Sequence, residues 1–124
     1  MTSFDGYMTR AVECLKEARL LYQNQLYRGA CGRAYYAYFD AVRALLSTKG
    51  ITTKSHSAAR GLFSEQFVKT GFFTKRDSTA LNELFELRQS GEYDMDDSVS
   101  EADALSSIEI AAEFLRQTEA YLRS

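Results

Sequence analysis

The chain predicts an all-α fold: a four- to five-helix up-and-down bundle making one domain over residues 1–124. Three observations carry that expectation. The chain has no proline and only seven glycines, so little in it interrupts a helix. Its apolar residues recur every three or four positions over long segments, the period of an amphipathic helix. The segments are separated by short polar or glycine-marked breaks, which favours neighbouring helices over a sandwich or barrel. With 124 residues and 45% apolar content, the chain is long enough to bury a core.

The first helix is expected over about residues 4–24, with Met8, Val12, Leu15, Ala18 and Tyr22 as its apolar stripe. Gln23, Asn24 and Gln25 form a polar break, and a second helix runs from about Leu26 to Thr48, with Gly50 placed as a left-handed cap. Gly29 and Gly32 weaken the start of that helix; either they admit a neighbouring helix closely or they are merely tolerated. Residues 51–57 read as a loop into a third helix over about 56–70, capped by Ser55 or Thr53 and closed by Gly71. A fourth helix spans about 75–89, with Leu81, Leu84, Phe85 and Arg88 at helical steps and Gly91 ending it. The last helix, about 99–122, opens at a capping box read over Ser98–Glu101 and carries Leu105, Ile108, Ala112, Leu115 and Leu122 as its stripe.

The second helix is chemically unusual. Cys31, Ala34, Tyr35, Tyr38, Val42 and Leu45 form its apolar stripe, while Arg33, Tyr36, Asp40 and Arg43 follow one another at steps of three and four on the other side. A buried tyrosine needs a partner for its hydroxyl, so this clustering suggests an organised polar site. Two readings stay open for that face: a solvated surface with snorkelling arginines, or a site for a phosphate-bearing ligand or a polar protein contact. His56, the chain's only histidine, stands at a helix start. It suits either a structural hydrogen bond, for instance to a tyrosine, or contact with a ligand.

Charge is unevenly distributed. Residues 43–76 hold seven basic side chains and one acid, and residues 77–124 hold three basic and twelve acidic ones, inside a net charge of −2. This asymmetry suits either an anionic partner or pairing between helices or subunits. The two cysteines, Cys14 and Cys31, read as small buried apolar residues, and one histidine with two separated cysteines makes a metal site improbable. No calcium loop, phosphate loop or nucleophile elbow occurs, and no cofactor is expected. With no apolar run of about 18 residues, and with Asp5, Glu13, Glu17 and Arg19 early in the chain, the expectation is a cytoplasmic protein with no membrane partner.

Read together, several blocks carry a resemblance. Arg33-Ala-Tyr35-Tyr36-Ala-Tyr38-Phe39, Ala41-Val-Arg43-Ala-Leu-Leu46, Lys54-Ser-His56-Ser, Phe67-Val-Lys-Thr-Gly71, Leu87-Arg88 and Glu92-Tyr93 resemble, in order and spacing, the small stand-alone proteins of the HEPN superfamily. The resemblance covers about residues 5–122. It implies a four- or five-helix bundle, commonly a homodimer, often encoded beside a minimal nucleotidyltransferase as a toxin–antitoxin module. Many such domains are metal-independent endoribonucleases in which an Arg-x4-His motif meets its symmetry mate at the dimer interface.

The motif departs from that pattern here. Five residues after Arg88 stands Tyr93 where the ribonuclease motif has histidine, and the tyrosine that follows two further on in the family's toxin is Met95. The sequence Arg88-x3-Glu92-Tyr93 is close to an Arg-x3-Asp-Tyr variant of the superfamily. A tyrosine is a poor base near neutrality. Arg88 with Tyr93 or His56 is therefore the candidate catalytic set, and Arg33, Tyr36, Asp40 and Arg43 the candidate ligand-binding set. Three functions follow: a dimeric partner of a nucleotidyltransferase with a polar cleft for nucleotide or RNA, an endoribonuclease toxin, or a structural dimerisation bundle.

Overall fold

The computed structural model describes residues 3–93 and 99–124, except for the side chains of residues 3 and 91–93. The described residues form five α-helices: α1 (Ser3–Gln23), α2 (Tyr27–Ser47), α3 (His56–Phe63), α4 (Lys75–Tyr93) and α5 (Glu101–Leu122). A π-helical turn, Ser64–Val68, extends α3, so the third helix of the sequence reading is really an α segment continued by a wider turn. There are no strands among the described residues.

The second helix lies at the centre. It packs against α1, α4 and α5, and most extensively against α1, to which only residues 24–26 connect it. Small side chains permit this: Ala11, Ala18, Ala30, Ala34, Ala37, Ala41 and Ala44 are fully buried and let the helix backbones approach. Gly29 belongs to the same contact, since a Cβ there would meet Leu21 Cδ1 at 3.2 Å, whereas Gly32 faces open space. Only the first glycine therefore serves close packing. Val12 and Leu105, expected in apolar stripes, are 51% and 42% exposed. Ala11 and Ala104, one position earlier in each helix, are fully buried instead, so at these points the buried face is rotated from the expected stripe.

One end of the bundle is filled by aromatic rings. Tyr38 stacks on Phe114 at 3.9 Å, and Phe63 and Phe73 lie 5.8 and 5.6 Å from the same ring. The Tyr38 hydroxyl donates to the Asp77 carbonyl at 2.7 Å, satisfying the one polar atom this ring buries.

The ends of the elements follow local chemistry. Ser55 caps α3 by accepting from the Ala58 amide, the role expected of it or of Thr53. Gly50 and Gly71 take positive φ values of 73° and 88° after α2 and the π turn, where only glycine does so without strain. The capping box of α5 sits two residues later than expected, with Ser100 and Asp103 exchanging hydrogen bonds; Ser98 lies outside the described residues. The fourth helix passes through Gly91 to Tyr93, because glycine lowers helix propensity without forbidding a helix.

Candidate functional site

The residues of the polar face of α2 meet the neighbouring helix. Arg33, Tyr36, Asp40 and Arg43 line one cleft of about 270 Å³, together with Phe39 and, from α1, Arg10 and Cys14. The face is graded rather than uniform: Arg33 is exposed, Tyr36 and Arg43 are half-buried, and burial is complete only at its centre. Asp40 is only 7% exposed, and Arg43 Nη1 donates to Asp40 Oδ1 at 3.4 Å. The Arg43 guanidinium lies over Tyr7 of α1, 4.7 Å from the ring centre, and 5.6 Å from that of Phe39. Its buried Nε has no hydrogen-bond partner among the described residues.

Two effects set the charge of Asp40. Burial raises its carboxyl above the usual carboxylate range, and the nearby Arg10 and Arg43 pull it back. Cys14, expected as a small buried apolar residue, is half-buried in the cleft, with its thiol pushed up mainly by burial and pulled back in part by Arg33. Three arginines against one carboxylate, walled by aromatic rings, leave an excess of positive charge and planar donors that match phosphate oxygens.

Beside the cleft, the candidate catalytic residues gather around Tyr35. The Tyr35 hydroxyl lies 2.9 Å from His56 Nδ1, and the Arg88 guanidinium is 5.8 Å from the centre of the Tyr35 ring and 5.0 Å from that of Tyr36. The His56 ring stacks on Phe85 at 3.8 Å. Tyr36 thus connects Arg88 with the cleft, and Tyr35 connects Arg88 with His56. Tyr93 is the last residue of α4, but its side chain, like all of Met95, lies outside the described residues.

The hydrogen bonds of His56 have a direction. Asn82 Nδ2 donates to Glu86 Oε1 at 2.9 Å, which turns Asn82 Oδ1 toward His56 Nε2, 3.5 Å away. An amide oxygen only accepts, so Nε2 carries the hydrogen and Nδ1 presents its lone pair to the Tyr35 hydroxyl. The chain runs Tyr35 O–H to His56, His56 N–H to Asn82, Asn82 N–H to Glu86. Burial lowers the His56 pKa, and the positive charge of Arg60 pushes the same way against the raising effect of Asn82. Tyr35 is pushed far up, again mainly by burial. The histidine is therefore a neutral, doubly engaged ring, and the tyrosine beside it holds its proton.

Arg10, Cys14, Tyr7, Phe85 and Asn82 escaped the sequence reading. Phe85 carried a signal, lying three residues before Arg88 in the same stripe. The others reach the site only because α1 and α4 fold against α2.

Comparison with known proteins agrees with this architecture. The HEPN domain family matches residues 5–121. A protein of Thermotoga maritima named "UPF0332 protein" is 43% identical over 84 residues, 68% of this chain and 64% of its own length. Two proteins of Methanocaldococcus jannaschii carry the name "Putative toxin". One is 32% identical over 115 residues, 93% of this chain and 78% of that protein. The other is 36% identical over 86 residues, 69% of this chain and 64% of that protein. The match thus spans less than two thirds of the length of two of these three relatives.

Proposed function

This chain belongs to the HEPN domain family, and from that premise we propose that it is the helical, dimeric component of a toxin–antitoxin-type module, pairing with a minimal nucleotidyltransferase and holding nucleotide or RNA phosphates in its Arg/Tyr cleft. The observation that supports this reading best is the convergence of Arg33, Tyr36, Asp40 and Arg43 on one cleft with Arg10. Two relatives named "Putative toxin" agree with the module. Binding is favoured over cleavage because His56 is poorly placed as a base: its lone-pair nitrogen already accepts the Tyr35 hydroxyl.

One observation favours a second reading, a metal-independent endoribonuclease. Arg88 and His56 meet the same tyrosine, so a phosphate-stabilising cation and an imidazole stand in one cluster. Two measurements separate the readings. Purified chain and its Arg88→Ala variant are incubated with structured RNA in the presence of a chelator, and the chain is co-expressed with a nucleotidyltransferase encoded beside it. A stable complex, nucleotide binding weakened by Arg33→Gln and intact RNA support the binding component. Cleavage that vanishes in Arg88→Ala overturns it.

A further inference from the structure

A larger groove lies away from the cleft, on the other side of His56. It encloses about 580 Å³ between α3, the π turn and the start of α4. Three cations line it, Arg60, Lys69 and Lys75, and no carboxylate does. Four arginines elsewhere do have a carboxylate partner, Arg43 with Asp40, Arg76 with Glu83, Arg116 with Glu113 and Arg123 with Glu119. Arg60, Lys69 and Lys75 form no ion pair among the described residues. Three like charges around one concavity repel one another unless an anion enters it.

The groove also carries neutral polar groups beside its cations. The π turn closes with the Lys69 amide donating to the Ser64 carbonyl at 2.9 Å, a wider ring than an α-turn, and such turns concentrate at functional sites. The Ser64 and Ser78 hydroxyls meet at 2.8 Å across the groove and tie the π turn to α4. Ser57 and Thr79 add further hydroxyls, and Asn82 with the edge of His56 closes one end. Hydroxyls and cations together are the groups that contact phosphate and ribose. The lining offers no free aromatic face for a base, because the one ring present, His56, is already stacked on Phe85.

We propose that this groove is a phosphate-binding site, separate from the Arg/Tyr cleft, that takes the backbone of single-stranded RNA through Arg60, Lys69 and Lys75. Five of the seven basic residues from 43 to 76 thereby divide by place: Arg43 serves the cleft, Arg76 an ion pair with Glu83, and these three the groove. The assignment does not depend on the nucleotidyltransferase pairing.

The test is fluorescence anisotropy with a 5′-labelled twelve-residue oligouridine over a salt series, using wild type, Lys69→Gln/Lys75→Gln, Arg60→Gln and, as a cleft control, Arg33→Gln. Unlabelled inorganic pyrophosphate is the competitor, and thermal melts verify folding. Lys69 and Lys75 are exposed, so their removal leaves the core untouched. Each lost phosphate contact flattens the slope of log affinity against log salt by about 0.7. The double variant should therefore lose about 1.4 of slope and bind roughly tenfold more weakly at low salt. Arg60→Gln should lose about half as much slope, and Arg33→Gln should keep the groove component. Unchanged affinity and slope in the lysine variant overturn the site. Pyrophosphate binding lost in that variant without any RNA binding overturns the RNA assignment. A chain that binds RNA through the groove but forms no complex with a nucleotidyltransferase would sink the proposed module and leave the groove standing.

Discussion

Replacing Tyr35 by phenylalanine tests the directed hydrogen-bond chain at the centre of the bundle. Tyr35 is 3% exposed, and its ring packs against Tyr36, Phe39, Phe85 and His56 at centroid distances of 5.2–5.7 Å. The variant keeps those contacts and removes only the hydroxyl. The lost hydrogen bond is worth about 1 kcal/mol net, and the half-buried Nδ1 left without a donor adds a fraction of the roughly 1–3 kcal/mol cost of an unsatisfied polar atom. The expected destabilisation is therefore about 1–2 kcal/mol in urea melts. Tyr35→Ala, which also empties the ring site, should cost about 3–5 kcal/mol.

The direction of the chain has a separate signature. In wild type the hydroxyl donates to neutral imidazole, so its removal disfavours the neutral form and must move the His56 pKa up. The chain has one histidine, so its ring C–H resonances can be followed by NMR through a pH titration without ambiguity. If Nδ1 carried the hydrogen instead, losing the tyrosine oxygen as acceptor would leave the pKa unchanged or lower it. Either result would refute the assignment of donor and acceptor, whatever the loss in stability.

Three further outcomes are expected. Because the folded His56 pKa lies below its ordinary 6.5, the unfolded chain takes up the proton first; stability should be full above that value, fall as pH drops through it, and the fall should disappear in His56→Gln, read from urea midpoints between pH 8 and 5. Arg43→Met removes the hydrogen-bonding cation from buried Asp40 while Arg10 remains nearby, and should cost about 1–3 kcal/mol, whereas Asp40→Leu/Arg43→Met should recover most of that loss in thermal melts; equal stability of single and double variants would show that the pair is not coupled. Gly71→Ala meets nothing within 4 Å of the added Cβ but keeps a φ of 88°, so chemical denaturation should report a purely conformational cost of about 1–2 kcal/mol.

Helix type and order were legible because they depend on local periodicity. The stripe Cys31, Ala34, Tyr35, Tyr38, Val42 and Leu45 is buried throughout, and Ser55 and Gly50 mark helix ends through interactions within a few residues of themselves. The pattern of Arg33, Tyr36, Asp40 and Arg43 also placed those four side chains on one face. Periodicity could not tell whether that face meets water. Asp40 is buried because Tyr7 and Arg10 arrive from α1, some thirty residues away in the chain. Nor could it separate an α-helical end from the π turn at Ser64–Val68, since the two differ by one residue in a single hydrogen-bonded ring.

The sequence by itself determined the bundle, its central aromatic helix and the family that its motif blocks resemble, since these rest on the spacing of residues along single helices. Only the tertiary structure decided what the charged groups do. It paired Arg43 with Asp40, set Arg88 over Tyr35 and Tyr36, tied His56 between Tyr35 and Asn82, and gathered Arg60, Lys69 and Lys75 around one groove. The physical reason is range. Helix formation is settled within a turn or two of the chain, whereas the protonation state and the partner of a charge depend on burial and on neighbours that other helices deliver.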